Sequence, residues 1–253
     1  MANEYILELK NWSLSYSPGK DALKNITAGI YPNKVSFIIG PPESGKSAML
    51  RSINRLYELA PGAKTRGEIR LNGRNIQTIP VSELRQKVGM IVIEPNVFSR
   101  MTVQENVLAG YTLNHLSLSI KEQKRITETY LRTVDLWEDV KNDLDRKPDF
   151  LCKGQQQCLC VARTLALQPK ILLMDEPIAA LEPLYAEKME NLIKQLKETM
   201  PILITSYNLS RTARMADYTL YLDNGELVEY GATSDIFLSP TDKRTEKYIA
   251  HRI

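Results

Sequence analysis

The chain has 253 residues, with 33 lysines and arginines against 30 aspartates and glutamates and a hydrophobic content of 43%. That length buries a substantial core as one large domain or two intimate lobes, and the near balance of charge gives no bulk signal for a nucleic-acid partner. No run approaches the roughly 18 uninterrupted apolar residues of a membrane span, and Met1 to Lys10 lacks a signal peptide's apolar stretch, so a cytoplasmic location is expected.

Residues Tyr5 to Tyr16 alternate, with Trp12, Leu14 and Tyr16 on one face and Asn11, Ser13 and Ser15 on the other, which predicts a half-buried strand. Ser17-Pro18-Gly19 turns it, and Ile26, Ala28 and Ile30 alternate again before Pro32-Asn33, so the pair reads as an antiparallel appendage on the core. Tyr16, at the end of its strand, suits either a stacking platform for a purine or core packing. The apolar run Val35-Ser36-Phe37-Ile38-Ile39 leads into Gly40-Pro41-Pro42-Glu43-Ser44-Gly45-Lys46-Ser47, which meets the P-loop pattern G-x-x-x-x-G-K-[ST] at every fixed position. Ala48 to Tyr57 follows, with Met49, Ile53, Leu56 and Tyr57 at helical spacing. A buried strand feeding a glycine turn that opens a helix gathers backbone N–H groups and the positive helix end on one point, where a polyphosphate is held. Lys46 is placed for the β and γ phosphates, and the Ser47 hydroxyl for a Mg²⁺ that bridges their oxygens.

Pro61-Gly62 breaks the chain, and Glu68 to Gly73 is a strand running into an Asn-Gly hairpin turn. Val88 to Ile93 is another apolar strand, closed by Glu94-Pro95-Asn96. From Thr102 to Gln168 the pattern is helical almost throughout, with capping boxes at Thr102 to Glu105 and Ser119 to Glu122, and this lobe offers its surface to a partner. Cys152, Cys158 and Cys160 fall here. Their odd number, their clustering and the presence of only His115 and His251 in the chain suit neither a disulfide framework nor a zinc site, and they read as reduced thiols, the latter two as packing.

Ile171-Leu172-Leu173-Met174 shows no alternation, as in a parallel strand covered on both faces. Asp175 and Glu176 follow at its carboxyl end, where α/β sheets keep their ligands. One carboxylate orders the metal shell, while the other, Glu176, aligns an attacking water. Ile202 to Thr205 is a further buried strand, Thr219 to Glu229 a hairpin about Asn224-Gly225, and Asp242 to Lys247 a solvated helix face. The predicted fold is α/β: a P-loop NTPase core with a mainly parallel sheet (1–93 and 169–235), carrying an N-terminal antiparallel β subdomain, an inserted helical subdomain (94–168) and a helical tail (236–253), all in one domain spanning 1–253.

Between the lobe and the acid pair lies Leu151-Cys152-Lys153-Gly154-Gln155-Gln156-Gln157. It resembles the ABC-transporter ATPase signature Leu-Ser-Gly-Gly-Gln at Leu151, Gly154 and Gln155. Asn54-Arg55-Leu56, Pro61-Gly62-Ala63, Val88-Gly89-Met90, the triple glutamine and the ending from Gly225 to Ile249 look like the phosphate-import subfamily. The resemblance implies an ATP- and Mg²⁺-dependent ATPase on the cytoplasmic face of the membrane. It implies a head-to-tail homodimer or heterodimer, in which the P-loop residues of one chain (Gly40 to Ala48, with Tyr16 at the adenine) and the signature residues of the other (Cys152 to Gln155) sandwich each ATP. It also implies transmembrane permease subunits as partners, driven through the helical lobe.

Several positions depart from that family's pattern. Its Gln after the Val88 strand falls on Ile93, with Glu94 beside it; the signature Ser and first Gly fall on Cys152 and Lys153; and the His after the Ile202 strand falls on Tyr207, whose phenol still donates a hydrogen bond. The inter-subunit Asp falls on Glu182, the Thr after Ser47 on Ala48, and Glu43 adds negative charge to the phosphate cradle. An orthodox partner subunit would leave both sites damaged, and each lost donor typically lowers the rate by about 10² to 10³. Two readings follow: a working ATPase carried by Lys46, Ser47, Asp175 and Glu176, with Tyr207 in the histidine's place and turnover weakened by the departures, or an impaired nucleotide-binding regulatory or structural subunit. An ABC protein acting on nucleic acid is disfavoured by the single P-loop and the absence of a basic tract.

Overall fold

A computed structural model of the chain describes residues 4–17 and 19–250. Strands β1 (Leu7–Ser17) and β2 (Lys20–Ile30) pair antiparallel, and the alternation seen in the sequence buries Trp12 and Leu14 completely. Pro18 of the expected turn and the ends of the 1–253 unit, His251 among them, lie outside the described residues. After β3 (Val35–Ile39) and α1 (Lys46–Ile53), strands β4 (Lys64–Leu71) and β5 (Arg74–Asn75) form the expected hairpin on β1, with Asn72 and Gly73 both at positive φ (50° and 75°), as a type I′ turn requires. Then come α2 (Val81–Lys87), β6 (Val88–Ile91), α3 (Val103–Leu113), α4 (Ile120–Thr133), the single turn α5 (Trp137–Val140) and α6 (Lys153–Ala166). The chain closes with β7 (Ile171–Asp175), α7 (Pro183–Leu196), β8 (Ile202–Thr205), α8 (Leu209–Met215), the hairpin of β9 (Tyr218–Asp223) and β10 (Glu226–Ala232), then α9 (Thr233–Leu238) and α10 (Lys243–Ala250).

Two sheets result: an antiparallel one ordered β2-β1-β4-β5, and one ordered β10-β9-β3-β8-β7-β6 in which only the β10 edge is antiparallel. The larger sheet is covered on both faces. Phe37, Leu172, Met174, Ile202 and Ile204 point into one core with apolar residues of α3, α4, α6 and α7, whereas Ile38, Leu173 and Leu203 point into another with α1 and the antiparallel sheet. Two-sided burial explains why these strands are solid apolar runs in the sequence. Both predicted capping boxes form, at Thr102/Glu105 and Ser119/Glu122. Helix α10 lies back on β9 through the stacked rings of Tyr248 and Tyr221, 4.8 Å apart.

Three expected boundaries move. The helix predicted to reach Tyr57 stops at Ile53, because Arg55 is left-handed (φ 58°) with its guanidinium donating to the Ile76 and Ile79 carbonyls, and Leu56–Leu59 continues only as a 3₁₀ turn. The strand predicted to reach Ile93 stops at Ile91, and Ile93 stands 43% exposed in the loop beyond. The helical lobe is interrupted between α4 and α6, where left-handed Asp135 (φ 52°) ends α4 and only α5 and a Pro148–Phe150 turn intervene.

Candidate active site

The end of β3 delivers the chain into Gly40, whose backbone (φ 151°) places any Cβ 2.1 Å from the Leu222 carbonyl oxygen, so a side chain is excluded there. The loop runs through half-buried Pro41, exposed Pro42, exposed and left-handed Glu43 (φ 62°) and buried Ser44 to Gly45, the N-cap of α1. Gly45 carries no side chain to cap the helix, so the first-turn N–H groups face the loop. Lys46 and Ser47 open α1, and half-buried Ala48 packs on the apolar cluster beneath the antiparallel sheet.

Lys46 is buried and folds back over the loop, where its Nζ donates to the carbonyl oxygens of Gly40 (2.9 Å) and Pro41 (2.8 Å) and lies 4.0 Å from the centre of the Tyr207 ring. Ser47 Oγ donates to Asp175 Oδ1 at 2.9 Å, joining the first turn of α1 to the end of β7. Parallel register sets Asp175 opposite Thr205, and the Thr205 hydroxyl donates to the same Asp175 oxygen at 2.7 Å while accepting the Glu176 N–H at 2.9 Å. Thr205 was not among the expected site residues. The only signal for it in the sequence is a hydroxyl ending the apolar run Ile202-Leu203-Ile204, one strand away from the acids it holds.

Glu176 turns out of β7 with a left-handed backbone (φ 47°), uncommon for a non-glycine residue and found at functional sites. Its side chain is buried, and its Oε1 has no hydrogen-bond partner among the described residues. Burial pushes its carboxyl up to about 7 and the Asp175 charge adds to this, while Lys46, the Tyr207 N–H and Arg211 pull the other way. A carboxyl raised in this way suits a group that takes a proton from water. The residues present fit both a triphosphate and Mg²⁺: the Ser47 and Asp175 oxygens are the hard donors that ion takes, Lys46 can exchange carbonyl for phosphate oxygens, and Glu176 has an acceptor to spare.

The remaining predicted residues lie elsewhere in the chain's own contacts. Tyr16 is half-buried against the antiparallel sheet's core, its phenol pushed upward by burial with Arg51 opposing. Cys152 is the exposed N-cap of α6, and its N–H donates to Gln155 Oε1 at 3.1 Å while Gln155 Nε2 donates to Asp139 at 3.1 Å. Gly154 lies under Tyr185 so closely that a Cβ would sit 2.1 Å from its Cγ. Cys158 and Cys160 are buried, and burial pushes the Cys158 thiol up to about 12, so both are packing residues.

Glu94, next to the position of the family glutamine, pairs with Lys153 at 3.3 Å. That pair begins a stripe along α6. Gln157 Nε2 donates to the Val92 carbonyl at 3.1 Å, the Asn96 N–H meets the Cys160 thiol, and Arg163 stacks on Phe98 at 4.3 Å while donating to Asn96 Oδ1 at 3.4 Å. Residues 153, 157, 160 and 163 share one helical face, and together they fasten the loop after β6 to the helix that opens with the signature.

A family profile described as ABC transporter matches residues 23–179. Phosphate import ATP-binding proteins PstB from two strains of Tropheryma whipplei, Twist and TW08/27, are each 41% identical over 251 residues, covering 97% of this chain and 97% of theirs. Among solved structures, cbiO1 of Clostridium perfringens, part of the ABC transporter complex cbiONQ, superposes with a TM-score of 0.79 at 22% identity over 99% of this chain and 96% of its own. The ATP-binding cassette MJ0796, in a dimeric post-hydrolysis state bound to ADP and Pi, superposes with a TM-score of 0.77 at 27% identity over 90% of this chain and 98% of its own. With a phosphate loop, an acid pair and a signature helix on a fold shared with those cassettes, this chain belongs to the ABC transporter family, as one of its ATP-binding subunits.

Proposed function

We propose that this chain is the ATP-hydrolysing subunit of an importer that brings phosphate into the cell. The observation that carries the chemistry is the convergence of Lys46, Ser47, Asp175 and Glu176 at the ends of β3 and β7. The choice of phosphate rests on the 41% identity to the PstB proteins over 97% of both chains, since the solute never touches an ATPase subunit.

In this reading Lys46 leaves the Gly40 and Pro41 carbonyls for phosphate oxygens, and the N–H groups at the start of α1 cradle the β-phosphate. Ser47 and Asp175 would hold Mg²⁺, which when bound neutralises negative charge between the β- and γ-phosphates. Thr205 keeps Asp175 in place for that role. Glu176 aligns a water on the γ-phosphate and receives its proton, its half-way charge state at neutral pH suiting it to both halves of that transfer. Two such subunits, like or unlike, would close head to tail, with the α6 end bearing Cys152 to Gln155 over the partner's phosphate loop and Tyr16 against the adenine. The helical lobe would meet permease subunits at the cytoplasmic face of the membrane. No helix among the described residues is long and apolar enough to cross one.

The departures at Ile93, Cys152, Lys153 and Tyr207 lower the rate in this reading without removing the four groups that carry it. The test is Mg²⁺-dependent ATP hydrolysis by the purified chain, and phosphate uptake by cells lacking their own importer ATPase when this chain is supplied with its permease. Hydrolysis that collapses in Glu176→Gln supports the assignment. Equal hydrolysis in the mutant, or uptake indifferent to the chain, rejects it.

A further inference from the structure

Tyr207 stands where the sequence suggested a phenol donating a hydrogen bond, yet the structure turns its ring to the site. The Lys46 ammonium lies 4.0 Å from the ring centre, well inside the roughly 6 Å over which an aromatic face attracts a cation. Lys46 also donates to the Gly40 and Pro41 carbonyls and, at 3.5 Å, to Ser44 Oγ. Tyr207 is 43% exposed, so it forms the outer wall of the lysine's chamber, and its own backbone N–H reaches the Glu176 carboxylate. One residue of the β8–α8 turn therefore touches both the cation and the acid of the site, one with its ring and the other with its backbone.

We propose that Tyr207 is a positioning residue that acts through the face of its ring on Lys46, and that its hydroxyl is not the working group. The quadrupole of the ring attracts the ammonium without consuming any of its N–H donors. A phosphate can then replace the two carbonyls while the ring contact persists, so the lysine changes partners without losing its aim. An imidazole hydrogen-bonding a phosphate does different work, and the ring explains how tyrosine is accommodated at this position. The proposal rests on Lys46 as the phosphate-binding lysine.

The experiment measures the reactivity of Lys46 in the nucleotide-free chain toward an amine-acylating reagent, site by site by mass spectrometry at one fixed alkaline pH, in wild type, Tyr207→Leu and Tyr207→Phe. Leucine keeps an apolar side chain, smaller than the ring, but has no quadrupole; phenylalanine keeps the ring and loses only the hydroxyl. A cation–π contact of the strength seen at partly desolvated sites corresponds to about 5- to 30-fold. Lys46 is expected to label faster by that factor in Y207L, while Y207F follows wild type, and Y207L is expected to bind Mg·ATP more weakly by a similar factor. Equal labelling in Y207L and wild type overturns the proposal, as does Y207F labelling as fast as Y207L, which assigns the effect to the hydroxyl. Equal thermal midpoints for the three proteins exclude a folding defect. Because labelling needs no nucleotide, a wild-type chain that ignores Mg·ATP sinks the transport reading and with it the phosphate role of Lys46 but leaves the ring contact to be judged by labelling, whereas an unchanged rate in Y207L sinks the ring contact itself.

Discussion

Glu176 shows how burial changes the acidity of an ordinary side chain. A carboxyl raised to about 7 from an unfolded value near 4.5 binds its proton more tightly in the folded chain, so the stability it contributes is full below the unfolded value and is lost as pH rises toward 7. With 1.36 kcal/mol for each unit, the loss is on the order of 3 kcal/mol. Glu176→Gln, which cannot ionise, is therefore expected to melt close to wild type at pH 5 and well above it at pH 8; calorimetry at the two pH values checks this, and a constant difference contradicts it. In the wild type, kcat/KM for ATP should rise with a half-maximum near pH 7, as the free enzyme's Glu176 loses its proton. Glu182 offers a second test at the same scale. It is the N-cap of α7 but makes no capping hydrogen bond, whereas an aspartate is short enough to reach the first-turn N–H groups. Glu182→Asp is expected to add about 1 kcal/mol of stability, or about 2–4 °C in Tm.

Helix α6 is the element on which most of the unusual residues meet. Its stripe at 153, 157, 160 and 163 holds the loop after β6, and its first residues include the substituted signature. The Glu94–Lys153 pair is about two-thirds exposed on both sides, so by itself it contributes only about 0.2–1 kcal/mol and weakens with salt. A charge-reversal cycle of Glu94→Lys, Lys153→Glu and the double variant should show that coupling at low salt and lose it at high salt. Gln157 is buried and donates to the Val92 carbonyl, so Gln157→Leu should speed amide exchange across residues 92–98 more than either charge variant does. At the N-terminus of the helix, Gly154 has no room for a methyl group against the near atoms of Tyr185. Gly154→Ala is expected to lower stability by about 1–3 kcal/mol in chemical denaturation, relieved when Tyr185 is also made smaller. Much of this element was legible from the triple glutamine and the helical spacing of its apolar residues. The stripe was not, because nothing in the local pattern says which loop will lie against that helical face.

Over the whole molecule the larger sheet is the shared wall of two apolar cores, one reaching into the helical lobe and the other into the antiparallel sheet. A common wall couples their unfolding. The two tryptophans report on each side, Trp12 from the antiparallel sheet and Trp137 from beside the helical core. In single-tryptophan variants, fluorescence and far-UV circular dichroism should give coincident urea midpoints; separated midpoints would mean that the lobe unfolds on its own. The phosphate loop, the acid pair after a solid apolar strand, the Asn-Gly hairpins and both capping boxes could all be read without coordinates, since each is a contact between residues a few positions apart and leaves a pattern in the chain. The Thr205 hydroxyl on Asp175, the Tyr207 ring on Lys46, the loop fastened along α6 and the raised Glu176 carboxyl could not. They join residues from about 30 to more than 150 positions apart, and both a through-space contact and the loss of water around a charge exist only once the strands have taken their places in the sheet.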